Sequence, residues 1–510
     1  MEIWFLILVT ISISALFRAF LNLFSPSKDP PYTLPPGPHI LPVIGNIKWM
    51  KKSILEIELI LRSLHRELGP VITFRLGSRP SIFIADRTLA HQALVENGSL
   101  FSTRSVATAT TKIATGNQRT ISSSFYGPTW RLLRRNLTSE ILHPSRAKSY
   151  SHARKSVLQI LLHRFQSQSN SGDPVTVVAN FQYAMFCLLV LMCLGDKLDE
   201  KQIKEIERVE RSAIVNGRRF EVLNYWPALT KILLKKRWSE FFKIQKERQD
   251  VMLPLIRARK KVNEERLQNL PNQEKEEFIL SYVDTLLNLQ LPDEKRKLTE
   301  IEIVSLCNEF LNAGTDTTST SLQWIMANLV KFPQIQEKLF MEMKGVVEEG
   351  EEEVKEEQLH KMPYLKAIIL EGLRRHPPAH FVLPHSVKED VVLGKYLIPK
   401  NANINFMVAE MGWDEKVWED PMSFKPERFM GKEFDITGSR EVKMMPFGIG
   451  RRICPGYGLA MLHLEYFVAN LIWNYEWKAV DGDDVDLSEK MVFTVVMKNP
   501  LKAHISPRLK

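Results

Sequence analysis

The chain has 510 residues, 44% of them hydrophobic, enough for a large core and too apolar for a disordered chain. Its four cysteines, Cys187, Cys193, Cys307 and Cys454, form no C-x-x-C pair and no ladder of spacings. That speaks against a zinc site or a disulfide scaffold and for a reducing compartment. A net charge of +10 suits an anionic membrane surface or an acidic protein partner. No basic run is interleaved with aromatics as a stacking surface needs, which argues against nucleic acid.

The first predicted element is apolar, Ile3 to Phe24, interrupted by Arg18 and of a length that suits a bilayer span of about 20 residues. The only side-chain charge before it is Glu2, whereas Lys28, Lys48, Lys51 and Lys52 follow. The positive-inside bias therefore leaves the C-terminal bulk in the cytosol. A cleaved signal peptide is the alternative, but the basic leading region and small-residue cleavage site it needs are missing. Residues 25–46 are proline-dense, with Pro30-Pro31 and Pro35-Pro36-Gly37-Pro38, and form a short stiff tether.

Val71 to Arg75 and Ser81 to Ala85 are β-rich runs around Gly77-Ser78-Arg79-Pro80 and predict a hairpin. Val391 to Val408 is a second extended region, broken at Pro399-Lys400-Asn401. Most of the remainder has helical periodicity. The clearest helix starts at Thr299, where Glu302 completes a capping box, and runs to Phe332 before Pro333. At 1.5 Å per residue it spans roughly 50 Å and crosses a whole domain. Mid-helix it carries Ala313-Gly314-Thr315-Asp316-Thr317-Thr318, poor helix formers that propensity does not select; small residues there permit close approach of a ligand. An ordinary polar kink is the bland alternative. The acidic run Glu348 to Glu357 is most simply a solvated loop.

Three further clusters carry chemistry. Glu371 and Arg374 share one helix face at i,i+3, and Pro426-Glu427-Arg428-Phe429 supplies a second arginine. Trp130 and Arg134 lie one turn apart, with Arg131 and Arg135 on an adjacent face. Phe447-Gly448-Ile449-Gly450-Arg451-Arg452-Ile453-Cys454-Pro455-Gly456 presents one cysteine in a glycine-bracketed turn. In it, Gly450 and Gly456 let the backbone pass close under a flat macrocycle, Phe447 covers the sulfur, and Arg452 can pair with a carboxylate. A buried structural cysteine in a Gly-rich loop is the competing account.

These elements resemble the cytochromes P-450: F-x-x-G-x-R-x-C-x-G at 447–456, the A/G-G-x-D/E-T-T/S groove at 313–318, E-x-x-R at 371–374, and P-E-R-F at 426–429. The likeness runs from the proline hinge to Lys498-Asn499-Pro500-Leu501 and is closest in style to plant A-type microsomal enzymes. Cys307 through Trp324 and Phe406 through Gly412 are similar to plant family eighty-nine, subfamily A. The resemblance implies a mainly α fold with a minor β-sheet. A single large haem domain (47–510) would follow an N-terminal membrane anchor (1–24) and a hinge (25–46).

It further implies heme b (iron protoporphyrin IX) with the Cys454 thiolate as axial ligand. Trp130 and Arg134 would reach its propionates, Thr317 would hold the hydrogen-bond network where dioxygen is activated, and Asp316 would relay protons. Glu371, Arg374 and Arg428 would form a buried triad bracing the thiolate loop. Two departures stand out: His385 follows Leu383-Pro384 where the family often has arginine, leaving its propionate role open, and Trp413-Asp414-Glu415 replaces R/H-D-P. Asn224-Tyr225-Trp226-Pro227 with Leu233 to Arg237 looks like the family's membrane-dipping loop.

The activity implied is insertion of one oxygen atom from O2 into a small hydrophobic substrate at the endoplasmic reticulum membrane, single-pass, with the catalytic domain cytosolic. NADPH-cytochrome P-450 reductase and cytochrome b5 are the implied electron donors, because the chain has no flavin- or nicotinamide-binding segment of its own. Arg131, Arg135, Lys443 and Arg451 form a candidate landing site for an acidic donor, or simply a solvated face. The rivals are a reductase-independent isomerase or lyase of oxygenated lipids, which typically lacks the acid–threonine pair, and a non-catalytic haem protein. Candidate pocket residues lie at Ser105 to Ser122, Asn308 to Asn312, Pro378 to Leu383 and Phe493 to Val496. Asn308 and Asn312 are one turn apart and placed to meet a polar group.

Overall fold

A computed structural model of the protein describes residues 32–38, 54–76, 79–170, 172–195, 198–269, 279–431, 433–482 and 484–508, and residues 9, 10, 12–14, 16 and 17 near the N-terminus. Those last seven are helical and exposed; the rest of the expected anchor lies outside the described residues. Of the expected hinge, residues 32–38 are described, and they are docked: Pro36 O accepts from Thr73 N (2.7 Å), and Leu397 N donates to Thr33 O (2.9 Å).

The architecture is helical, with small sheets at one side. Strands β1 (Val71–Leu76) and β2 (Arg79–Ile84) pair antiparallel with Val71 opposite Ile84, as the hairpin expectation has it; Gly77 and Ser78 lie outside the described residues. The second extended region gives β3 (Val391–Leu393), β4 (Tyr396–Ile398) and β5 (Asn403–Phe406), with β3 on β4 and β5 running parallel to β2. Helices α1 (Pro128–Glu140), α2 (Ser151–Ser169), α3 (Val177–Leu194), α4 (Glu200–Asn216), α5 (Pro227–Leu233) and α6 (Lys235–Asn269) precede the long helix α7 (Glu300–Lys331); α8 (Pro363–Arg375) and α9 (Tyr457–Asn474) follow. The largest core gathers side chains of α2, α3, α7, α8 and α9, and a second core joins the sheet to the run Val442–Ile449 that leads into the cysteine loop.

The long helix begins and ends where its sequence says. Thr299 Oγ1 accepts from Glu302 N (3.3 Å), and Glu302 Oε2 accepts from Thr299 N (2.8 Å), satisfying two donors that the first turn leaves orphaned. It stops at Phe332, before Pro333. Among the described residues α3 is the one helix long and apolar enough to cross a bilayer; 72% of it is buried in protein, so it is a core helix. Gly314 is what lets α3 lie so close to α7, because a Cβ there would stand 2.7 Å from Leu189 Cδ1. Besides the ligand approach expected of small residues here, this glycine makes room for a helix.

Glu348 to Glu357 is not simply a solvated loop. Glu356 takes the fully buried Arg154 guanidinium in two bonds (2.6 and 2.8 Å), and Glu353 accepts from Tyr466 Oη (2.7 Å). A buried arginine needs a carboxylate, and this run supplies it.

Candidate active site

Between Glu302 and Val330 every residue of α7 is buried except Glu309, Asn312, Ala313, Gly314 and Thr317. Glu309, Ala313 and Thr317 recur every fourth residue, so they form one stripe of accessible surface midway along a helix enclosed by protein. That stripe is the wall of an internal space. Thr317 Oγ1 donates to Ala313 O (2.6 Å) within the stripe. Asp316 lies behind it, buried, meeting Gln182 Nε2 at 3.4 Å and the Arg211 guanidinium at 3.8 Å. Burial raises the Asp316 carboxyl above its ordinary range, and Arg211 and Gln182 only partly oppose this.

Cys454 sits in a tight turn closed by its own N–H donating to Phe447 O (2.8 Å), with Gly448 and Gly450 at φ +67° and +68°. Burial pushes its thiol up, while the Gly456 N–H donating to the sulfur and the Arg134 charge pull it down. Gly450 is required by the protein itself, since a Cβ there would stand 1.9 Å from Leu94 O. This requirement stands beside its expected place beneath a macrocycle. Gly456 differs: its φ is −95°, and an added Cβ meets no protein atom within 4 Å. Nothing in the chain selects glycine there, whereas a flat group lying against it would. Phe447 is partly buried, its ring 6.3 Å from Tyr457.

Three guanidiniums gather beside this turn. Arg452 donates to Ser102 O (2.8 Å), Ile121 O (3.0 Å) and Ser124 O (2.6 Å), and lies 4.4 Å over the Trp130 ring. Arg104 donates to Ser122 O, Leu383 O and Pro384 O at 2.7–2.9 Å. The Arg134 guanidinium makes no hydrogen bond among the described residues. Burial, then Arg104 and Arg134, lower Arg452 to about 9, and burial lowers Arg104 to about 10. One carboxylate offsets them, that of Glu309, which accepts from Ile121 N and Ser122 N (both 2.8 Å). Half-buried cations in such excess call for anions. The two propionates of the haem implied above supply two negative charges, so the residues present fit that group.

Some expected contacts are spent elsewhere. Trp130 Nε1 donates to Ile121 O (3.2 Å). His385 is buried with Nδ1 2.7 Å from Phe101 O, and burial followed by Arg104 holds it neutral, down to about 3. Its proton is thus on Nδ1 and its other nitrogen is an acceptor, which makes it a poor donor to a carboxylate. Arg104, absent from the expected set, takes that end of the site; its only sequence signal is a lone arginine one residue before the candidate pocket run.

Asn308 and Asn312 are also engaged. Glu210 of α4 holds Arg248 of α6 in two bonds (3.0 and 2.7 Å) and accepts from Asn312 Nδ2 (2.6 Å). Asn308, oriented by its partners, donates to Glu210 Oε1 (2.9 Å) and accepts from Arg248 Nη2 (3.1 Å). The triad forms as expected: Arg374 takes Glu371 at 2.7 and 2.8 Å, and Arg428 Nε reaches the same carboxylate at 3.3 Å. Arg374 also holds the carbonyls of Gly412 and Pro421 (2.7 Å each), and Trp413 Nε1 donates to Arg375 O, so the atypical 413–415 loop is bonded in. Of the proposed landing site, Arg131 and Arg451 meet over the ring of Tyr126, 4.9 and 5.6 Å away.

Comparisons with known proteins bear on the family and the fold. The family model Cytochrome P450 matches residues 35–506. Cytochrome P450 89A9 of Arabidopsis thaliana is 52% identical over the full length of both chains, and geraniol 8-hydroxylase of Catharanthus roseus is 30% identical over 98% of each. A zebra fish cytochrome P450 structure with progesterone superposes with a TM-score of 0.71, covering 89% of this chain and 99% of that one at 20% identity, which speaks for the fold alone. A model match over nearly the whole chain and a relative identical at half of its positions settle the descent: the chain belongs to the cytochrome P450 family, with plant family 89.

Proposed function

We propose that Cys454 is the axial ligand of the haem in a membrane-anchored monooxygenase of the endoplasmic reticulum that hydroxylates a small hydrophobic molecule with electrons from an NADPH-dependent reductase. Haem with a cysteine thiolate, and monooxygenase activity, come with the family. Bound haem supplies the activation of dioxygen that amino acids lack. The assignment of its ligand rests on the charge around Cys454. Cys193 and Cys307 are buried against each other, and Cys187 is paired with Tyr183. Cys454 alone combines an N–H aimed at its sulfur with a guanidinium cluster short of carboxylates.

The chain's own residues divide the work. Arg134 is the free donor for a propionate, while Arg104 and Arg452 supply positive field from positions fixed by backbone carbonyls. Trp130 backs Arg452, and Phe447 and Gly456 flank the sulfur. Asp316, whose carboxyl burial raises above its ordinary range, is suited to pass a proton to the Thr317 hydroxyl, which stands at the wall of the dry space. The Glu371–Arg374–Arg428 triad fixes the loops beneath. On the outside, Trp226, Leu229, Ile232 and Leu233 of α5 and its flank are exposed beside Lys235, Lys236 and Arg237, the composition of a surface that rests in a bilayer interface. Exposed Arg131 and Arg451 suit an acidic electron donor.

The test is reductase-dependent NADPH consumption by the haem-loaded protein in vesicles, with the carbon monoxide spectrum of Cys454→His beside it. Substrate-stimulated consumption and loss of the thiolate-type spectrum in the variant are expected. Turnover of a lipid hydroperoxide with no reductase would instead establish an isomerase, and a thiolate spectrum surviving in Cys454→His would move the ligand to another cysteine.

A further inference from the structure

Asn312 is held in a way that fixes which end of its amide a ligand meets. Its Nδ2 donates to Glu210 Oε2 at 2.6 Å, and that carboxylate is clamped by Arg248 through both oxygens. Glu210 is 1% exposed and Arg248 7%, so the clamp is buried and its partners cannot be exchanged for water. An ionised carboxylate only accepts, so the amide nitrogen must face it and the amide cannot flip. The carbonyl Oδ1 is left over, and no hydrogen bond reaches it among the described residues. Asn312 keeps accessible surface, as do few residues of this helix, and it adjoins Ala313, the exposed residue of the internal stripe one turn before Thr317.

We infer that Asn312 Oδ1 is a specificity determinant: a fixed hydrogen-bond acceptor in the substrate space, selecting molecules that carry an O–H or N–H donor on an otherwise apolar body. The inference rests on the haem-thiolate reading, which places the reacting centre below Thr317. The cluster Glu210–Arg248–Asn308 acts through Asn312 and positions it. An apolar side chain at 312 would leave a pocket with no preference between a donor and its alkylated form. A polar site of this kind discriminates more sharply than a missing methylene does, because the mismatched ligand leaves a buried acceptor unpaired.

The experiment uses ligands that bind the ferric iron and so report occupancy by the Soret shift. Hydroxyphenyl imidazoles substituted ortho, meta or para are titrated, each against its methyl ether, with plain imidazole as reference. In the native protein at least one hydroxyl isomer should bind about fivefold tighter than its ether, the worth of one neutral hydrogen bond. Asn312→Leu and Asn312→Ala should both erase that preference while leaving the imidazole affinity and the carbon monoxide spectrum unchanged. A preference that persists in both variants, or native protein that distinguishes no isomer from its ether, overturns the inference. Absence of any Soret response to imidazole in native protein would instead overturn the haem reading on which it rests.

Discussion

Thr317 gives its hydroxyl hydrogen to Ala313 O, 2.6 Å away, and so keeps an oxygen lone pair turned toward the internal space. Thr317→Ala removes that group without altering packing in the core. The expected result is a protein that keeps its thiolate spectrum and consumes NADPH, but whose peroxide released per NADPH rises several-fold as protons arrive out of place. Unchanged coupling would remove Thr317 from the proton path. Thr317, Asp316 and Cys454 were legible because each lies inside a contiguous motif. Arg104 and the engagement of Asn308 and Asn312 were not, because their meaning resides in partners far along the chain: Leu383 and Pro384 for the one, Glu210 and Arg248 for the others. His385 was visible as a departure, but its neutrality depends on burial that no local pattern announces.

At the scale of elements, the contact between α3 and α7 turns on one missing carbon. Gly314→Val would place a branched side chain where Leu189 Cδ1 stands 2.7 Å from the Cβ site. It should cost about 1–3 kcal/mol by denaturant unfolding, as overpacking does, and Leu189→Ala in the same chain should restore most of it. If the two substitutions were simply additive, the glycine would have some other purpose. The long helix was readable end to end from its capping box and Pro333, since both signals are local. The run Glu348 to Glu357 was misread because its purpose is set by Arg154 on α2, which no window of sequence brings near.

At the scale of the whole molecule, burial seals three histidines in neutral form among the described residues, lowering His376 to about 4 and His385 and His463 to about 3. The unfolded chain protonates them near 6.5, so their stabilising effect is present at neutral pH and lost as pH falls toward 4. Glu465 works in the opposite sense, since burial pushes it up to about 7 and the folded chain takes its proton first. These three imidazoles outnumber that carboxyl, so the set loses stability as pH falls through the pH unit from 6 to 5. Thermal melting of the holoprotein should therefore move down by several degrees across that unit, and His463→Phe should flatten the slope. A melting temperature indifferent to pH there would mean the imidazoles are not sealed.

The segment 32–38 carries a practical consequence for anyone shortening the chain. Because Pro36 caps the outer edge of β1 and Thr33 caps β4, these residues act as selvedge to two separate sheets. Trimming that begins after residue 38 strips two strand borders at once and invites edge-to-edge clumping, whereas a cut near residue 30 leaves the hem sewn.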